Sequence, residues 1–255
     1  MPDNLIFILV LLGHVVGDFY AQTNNMAKSK DGRFGALLLH AGVYALCMGL
    51  VLWAGIPISR ELLRLAALLG IAHLWIDGIK FLFLLGTKRI PKLGALAKNK
   101  SIIFTVDQCA HILLMVAILW IRDWQLAGRS FLSHQVDSLP APSITILLGF
   151  LCVLRPVGML IERGEILKPF KPEGEEEDNA KKNAGIAIGY LERSMVFLFL
   201  LYKQYGAMAF VLTAKSIARF KEMEQSKEKA EYYLIGTLFS VASAFVIAFV
   251  LGLCR

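Results

Sequence analysis

The stretch ELLRLAALLGIAHLWIDGIKFLFLLG, residues 61–86, decides the fold. A helix needs about 20 apolar residues to cross a bilayer, and this run exceeds that length. Inside it stand His73 and Asp77, a polar pair that an ordinary span would exclude. Similar runs lie outward in both directions, at about 4–22, 35–55, 102–121, 143–162, 184–202, 204–220 and 232–253. Together they predict an all-α polytopic transmembrane bundle of about eight helices, or seven if the short run at 204–220 does not cross. The composition agrees: of 255 residues 56% are hydrophobic and 18% charged, against about a quarter charged in soluble domains. A mean hydropathy of +0.59 excludes a compact soluble enzyme and a disordered chain. The run at 4–22 reads as a first span, not a signal peptide, because no Lys or Arg precedes it.

The formal charge of +7 follows the topology. Lys28, Lys30 and Arg33 lie in the first connection, and Lys88, Arg89, Lys92, Lys98 and Lys100 in the third. The fifth and seventh are likewise basic, while the even ones hold Arg60 and Arg64, then Arg122 and Arg129, then Lys203. By the positive-inside rule the odd connections face the cytoplasm and both termini lie outside. The basic charge therefore predicts no nucleic-acid partner, and no recognition motif is present. Residues 166–183, with Lys168-Pro-Phe-Lys-Pro-Glu-Gly-Glu-Glu-Glu-Asp178, read as a solvated acidic linker. It divides an N-terminal five-helix part, 1–165, from a C-terminal three-helix part, 184–255. Four single cysteines without a CxxC pair predict packing roles.

Four of the five histidines, His14, His40, His73 and His111, fall in apolar runs. Three have an aspartate four residues away: His14 with Asp18, His73 with Asp77, and Asp107 with His111. Positions i and i+4 share one helix face, so each pair offers an imidazole and a carboxylate in one direction. Gln22 extends the first stripe by one turn. With the orientation above, all these residues come within roughly 10–15 Å of the cytoplasmic surface. An acid in hydrocarbon costs several kcal/mol unless paired or solvated, which makes each aspartate a functional candidate. Hydrogen bonds within each His/Asp pair, with Lys80 near Asp77, are the competing structural account.

Imidazole with carboxylate favours zinc, manganese or ferrous iron. His14, Asp18, His40, His73, Asp77, Asp107 and His111 are enough for one or two such ions, with Asp18, Asp77 or Asp107 as general base. Gln22 and Lys80 are expected to contact substrate. Arg193, Lys215 and Arg219 form a basic C-terminal set suited to an anionic lipid headgroup. Gly13-xxx-Gly17 and Gly185-xxx-Gly189 are small-residue patterns for close helix packing.

His14-xxx-Asp18-Phe19-xx-Gln22, His40, His73-xxx-Asp77-xx-Lys80 and Asp107-Gln108-xx-His111 resemble a bacterial integral-membrane family, domain of unknown function 3307, over about the first 120 residues. That resemblance implies no settled activity. More loosely, the pattern is similar to inner-membrane metal-dependent hydrolases. The expected function is metal-assisted hydrolysis of a lipid or other membrane-embedded substrate, with membrane lipids as partners and oligomers open. The alternatives are a scaffold or effector with a structural metal, and a divalent-cation or proton-coupled transporter.

Overall fold

A computed structural model describes residues 2–87, 99–121, 124, 126, 143–163, 179–224 and 226–253. The basic third connection at 88–98 and the acidic stretch 168–178 lie outside the described residues. Those described form helices joined by short turns, with no strand among them. In chain order they are α1 (Pro2–Val15) running into a π turn at Val16–Tyr20, then α2 (Asn24–Lys30), α3 (Phe34–Gly55), α4 (Arg60–Thr87) and α5 (Lys100–Ile121). After them come α6 (Ser143–Arg163), α7 (Asn179–Leu201), α8 (Tyr205–Ala218), α9 (Phe220–Glu224) and α10 (Lys227–Val250).

Local chemistry sets the ends. Thr23, Ser59, Asn99 and Ser226 each accept a backbone N–H from the first turn of the helix they precede. Helix α3 stops where Ile56, extended at φ −134°, precedes Pro57. The α7–α8 turn closes with Gln204 N–H on the Phe199 carbonyl and Lys203 N–H on the Leu200 carbonyl, at 2.8 and 3.2 Å. Lys203 takes the left-handed conformation at φ 54° that this motif requires.

Among the described residues, five helices are long and apolar enough to cross a membrane: Phe34–Gly55, Arg60–Thr87, Lys100–Ile121, Ser143–Ile161 and Lys227–Val250. The expected first and seventh spans are shorter apolar helices, Leu5–Tyr20 and Tyr205–Ala218. The latter has 14 residues, about 21 Å of helix against a core of about 30 Å. The expected sixth span, 184–202, overlaps α7 (Asn179–Leu201), which is not one of those five helices.

Contacts divide the chain into units 1–144 and 145–255, so α6 packs with the C-terminal helices. In the first unit Leu9, Val10, Tyr44, Met48, Leu52, Leu65, Leu69 and Met115 fill the interior. Trp75, Leu82, Leu113 and Trp120 point outward, between 67% and 90% exposed, as a hydrocarbon solvent allows. A Cβ on Gly13 would stand 2.7 Å from Met48 Sδ, and one on Gly17 2.9 Å from Tyr44 Cδ2. The first small-residue pattern thus seats α1 on α3. The second does not pack helices in this way. A Cβ on Gly185 meets nothing within 4 Å, and Gly189 makes room for the Arg193 guanidinium. In the second unit Val153, Val196, Phe197, Leu200, Ala244 and Ala248 make the core.

Candidate functional site

The interior of the first unit holds a polar cluster beside its apolar core. Apolar side chains cover it, while His14, Asp18, His40, His73, Asp77, Asp107 and His111 are all at most 7% exposed. His40 reaches the centre from α3, His73 and Asp77 from α4, and Asp107 and His111 from α5.

Asp18 arrives by a different route. Ala21 N–H bonds to the Val16 carbonyl at 2.8 Å, five residues back, so the helix carries a π turn there. That extra residue shifts the helix phase, and His14 and Asp18 still meet the same Gln108 amide. Asp18 turns to the centre, while Gln22 is buried with its Oε1 unpartnered. Four atoms crowd around His40 Nε2: Lys30 Nζ at 3.0 Å, His73 Nε2 at 3.1 Å, Asp18 Oδ1 at 3.2 Å and Asp77 Oδ2 at 3.3 Å. One imidazole nitrogen holds either one hydrogen or one lone pair, and cannot satisfy four partners. His73 Nε2 is also 3.5 Å from Asp77 Oδ2. Two overlapping groups, Asp18 with His40 and His73, and His73 with Asp77 and His111, bring ligand atoms within 4.8 Å of one another.

Lys30 is the residue that sequence reasoning missed. The last residue of α2, it is 6% exposed and donates to Asp18 Oδ1 at 3.4 Å and Asp77 Oδ2 at 3.0 Å. Burial pushes its pKa down, but Asp18 and Asp77 outweigh burial and hold the ammonium above the usual lysine range.

With His14 neutral, the closest hydrogen bonds around this centre take a single direction each. A carboxylate only accepts, so the Gln108 amide donates to Asp18 Oδ2, at 2.8 Å. Gln108 Oε1 must then accept from His14 Nε2, at 3.1 Å, leaving His14 Nδ1 to accept from the Tyr44 hydroxyl at 3.2 Å. The chain Tyr44–His14–Gln108–Asp18 orients one carboxylate and uses both nitrogens of His14. His14, expected as a ligand, has both ring nitrogens within hydrogen-bond distance of these neighbours. His111 differs: its Nδ1 donates to the Asp107 carbonyl at 2.8 Å, which leaves Nε2 as a buried, unpartnered lone pair. The Tyr44 ring stacks on His73 at 3.5 Å between centroids.

Lys80, expected near Asp77, pairs instead with Asp107 Oδ2 at 3.2 Å and Asp31 at 3.8 Å. Its ammonium reaches across to α5 and pairs with an acid there. Arg193, Lys215 and Arg219 belong to the second unit. Arg193 is 5% exposed and donates to the Val153 and Leu154 carbonyls, beside the turn that Pro156 interrupts. Lys215 donates to Glu192 and to Thr237 Oγ1, and Lys215 and Arg219 both lie over the Tyr233 ring.

The family described as Protein of unknown function (DUF3307) matches residues 6–138, which include every residue of the first cluster. The chain belongs to the DUF3307 family. No curated protein and no solved structure matches it. The looser similarity to metal-dependent hydrolases therefore gains no support from these comparisons. In this DUF3307 member the matched segment ends before α6, so the Glu192–Lys215 set lies outside the family match.

Proposed function

We propose that the first unit is a membrane metal centre that hydrolyses a bond in a lipid or another membrane-embedded substrate. The observation that carries this reading is the crowding at His40 Nε2. A tetrahedral ion with bonds of about 2.0–2.1 Å sets neighbouring donors about 3.3–3.4 Å apart. The His40–His73, His40–Asp18, His40–Asp77 and His73–Asp77 atom pairs stand at 3.1, 3.2, 3.3 and 3.5 Å. Two imidazoles and two carboxylates suit zinc, manganese or ferrous iron, and a divalent ion would cancel both carboxylate charges. When bound, it would lower the pKa of a water and polarise the scissile group. His111 Nε2 would be the base taking that water's proton, because its lone pair is free and its group lies within 4.8 Å of ligand atoms on His73 and Asp77. Asp107, held by Lys80, would orient His111. The basic odd-numbered connections support a site near the cytoplasmic surface.

Purified protein should carry about one zinc-class ion, and His40→Ala should weaken its affinity by more than about 100-fold, beyond the loss typical of an outer-shell partner. With the ion present, incubation with native membrane lipids should release products seen by mass spectrometry, and His111→Ala should abolish them while keeping the metal. Folded wild type that binds no metal would overturn the reading. A second reading, a structural metal in a scaffold, is favoured by the near-complete burial of all four ligands. Metal retention with unchanged lipid, and unfolding on chelation, would select it.

A further inference from the structure

Lys30 does not fit the metal centre as a ligand, yet it touches three of the four groups assigned to it. We infer that Lys30 binds an oxyanion of the substrate, and that the substrate class is a phosphodiester. This rests on the metal reading above, and the charge count gives it content. Asp18 and Asp77 carry two negative charges, and Lys80 is committed to Asp107 and Asp31. A divalent ion neutralises the two carboxylates completely. The Lys30 ammonium, its side chain 7% exposed, is then a buried cation whose acceptors have been taken by the ion. A buried charge without a partner is strongly disfavoured, so Lys30 needs a new anionic partner, either hydroxide on the ion or a substrate oxyanion that replaces it.

Withdrawal of Lys30 is restricted by the backbone. Thr23 caps α2, and just past Lys30 the N–H groups of Gly32 and Arg33 both bond to the Ser29 carbonyl, at 3.1 and 2.9 Å. Only Asp31, Gly32 and Arg33 separate Lys30 from α3, which carries His40. The ammonium can shift off the carboxylates but stays beside them. A phosphodiester supplies one negative charge and two free oxygens, one for the ion and one for Lys30, and balances the Lys30 charge. A phosphodiester of a lipid headgroup and a soluble phosphodiester share this chemistry.

The test uses the full chain in detergent, loaded with zinc, and dimethyl phosphate as the probe. Calorimetry should show binding to the zinc-loaded protein and none to the metal-free protein. Lys30→Met should weaken probe binding at least about 10-fold, as expected for loss of a charge-assisted pair. The same substitution should tighten zinc, because it removes a cation that competes for Asp18, Asp77 and His40. Those two shifts have opposite signs, which simple misfolding does not produce, and Lys30→Arg should retain probe binding. Displacement of the probe by micelles containing phosphatidylglycerol supports the lipid source; displacement by a soluble dinucleotide but not by such micelles supports the soluble one. Zinc-loaded wild type that ignores the probe, or Lys30→Met that binds it equally well, overturns the role of Lys30 and leaves the metal centre standing. Wild type that binds no zinc overturns both.

Discussion

The two units differ in how crowded their buried polar atoms are. In the second, Arg193 bonds to backbone carbonyls and Lys215 to Glu192 and Thr237, while Glu192 Oε1 and Ser240 Oγ are buried without a hydrogen-bond partner. In the first, His40 Nε2 has four neighbours and can serve one, while His111 Nε2 has none. The first unit thus holds more ligand atoms than protons to share among them. A buried polar group that is satisfied explains itself as structure. One that is oversupplied on one atom and bare on another is arranged around something else.

That contrast breaks most visibly at Lys215. Lys215→Ala leaves Glu192, 5% exposed, without its cation, and should cost about 3 kcal/mol of stability with no change in metal content. Thermal unfolding in detergent reads the first and metal analysis the second. Adding Glu192→Gln should recover much of the loss, whereas a fall in metal content would join the two units in one function. A smaller effect is expected from Gln108→Ala, which cuts the chain from His14 to Asp18. It should weaken metal binding by about 10-fold, measured by chelator competition, while the unfolding temperature hardly moves. Equal zinc affinity would reduce that chain to packing. The smallest effect concerns the glycines of α7. Gly185→Ala meets nothing and should be neutral or stabilise by up to about 1 kcal/mol, through helix propensity. Gly189→Ala places a Cβ 3.1 Å from an Arg193 nitrogen and should destabilise by about 1 kcal/mol, so thermal unfolding of the pair should diverge in sign.

The helices and the buried acids are legible in the sequence for one physical reason. Hydrocarbon admits few polar residues, so His73 and Asp77 stand out against their run, and a regular helix puts them on one face. Tyr44 was open to the same logic, since it lies four residues after His40. Lys30 was not. In a connection rich in Lys and Arg it looks like any topology signal, and only the fold of α2 onto the core shows that it is buried. The partners of Lys80 and Lys215 are equally hidden, because Asp107 and Glu192 lie 27 and 23 residues away and their meeting depends on tertiary packing. Gln108 was visible beside Asp107, but its role depends on reaching a carboxylate on the first helix.

The π turn at Val16–Tyr20 makes chain length itself part of the site. It stores one residue more than the regular helix would use, and each residue of an α-helix turns about 100°. A relative one residue shorter between Gly13 and Gln22 would run through as a single phase, changing the direction of Asp18 relative to His14 even if every named side chain were kept. In this stretch a gap in an alignment would therefore carry more meaning than a substitution. A one-residue deletion, which is usually read as damage, becomes a way of turning one carboxylate out of the centre.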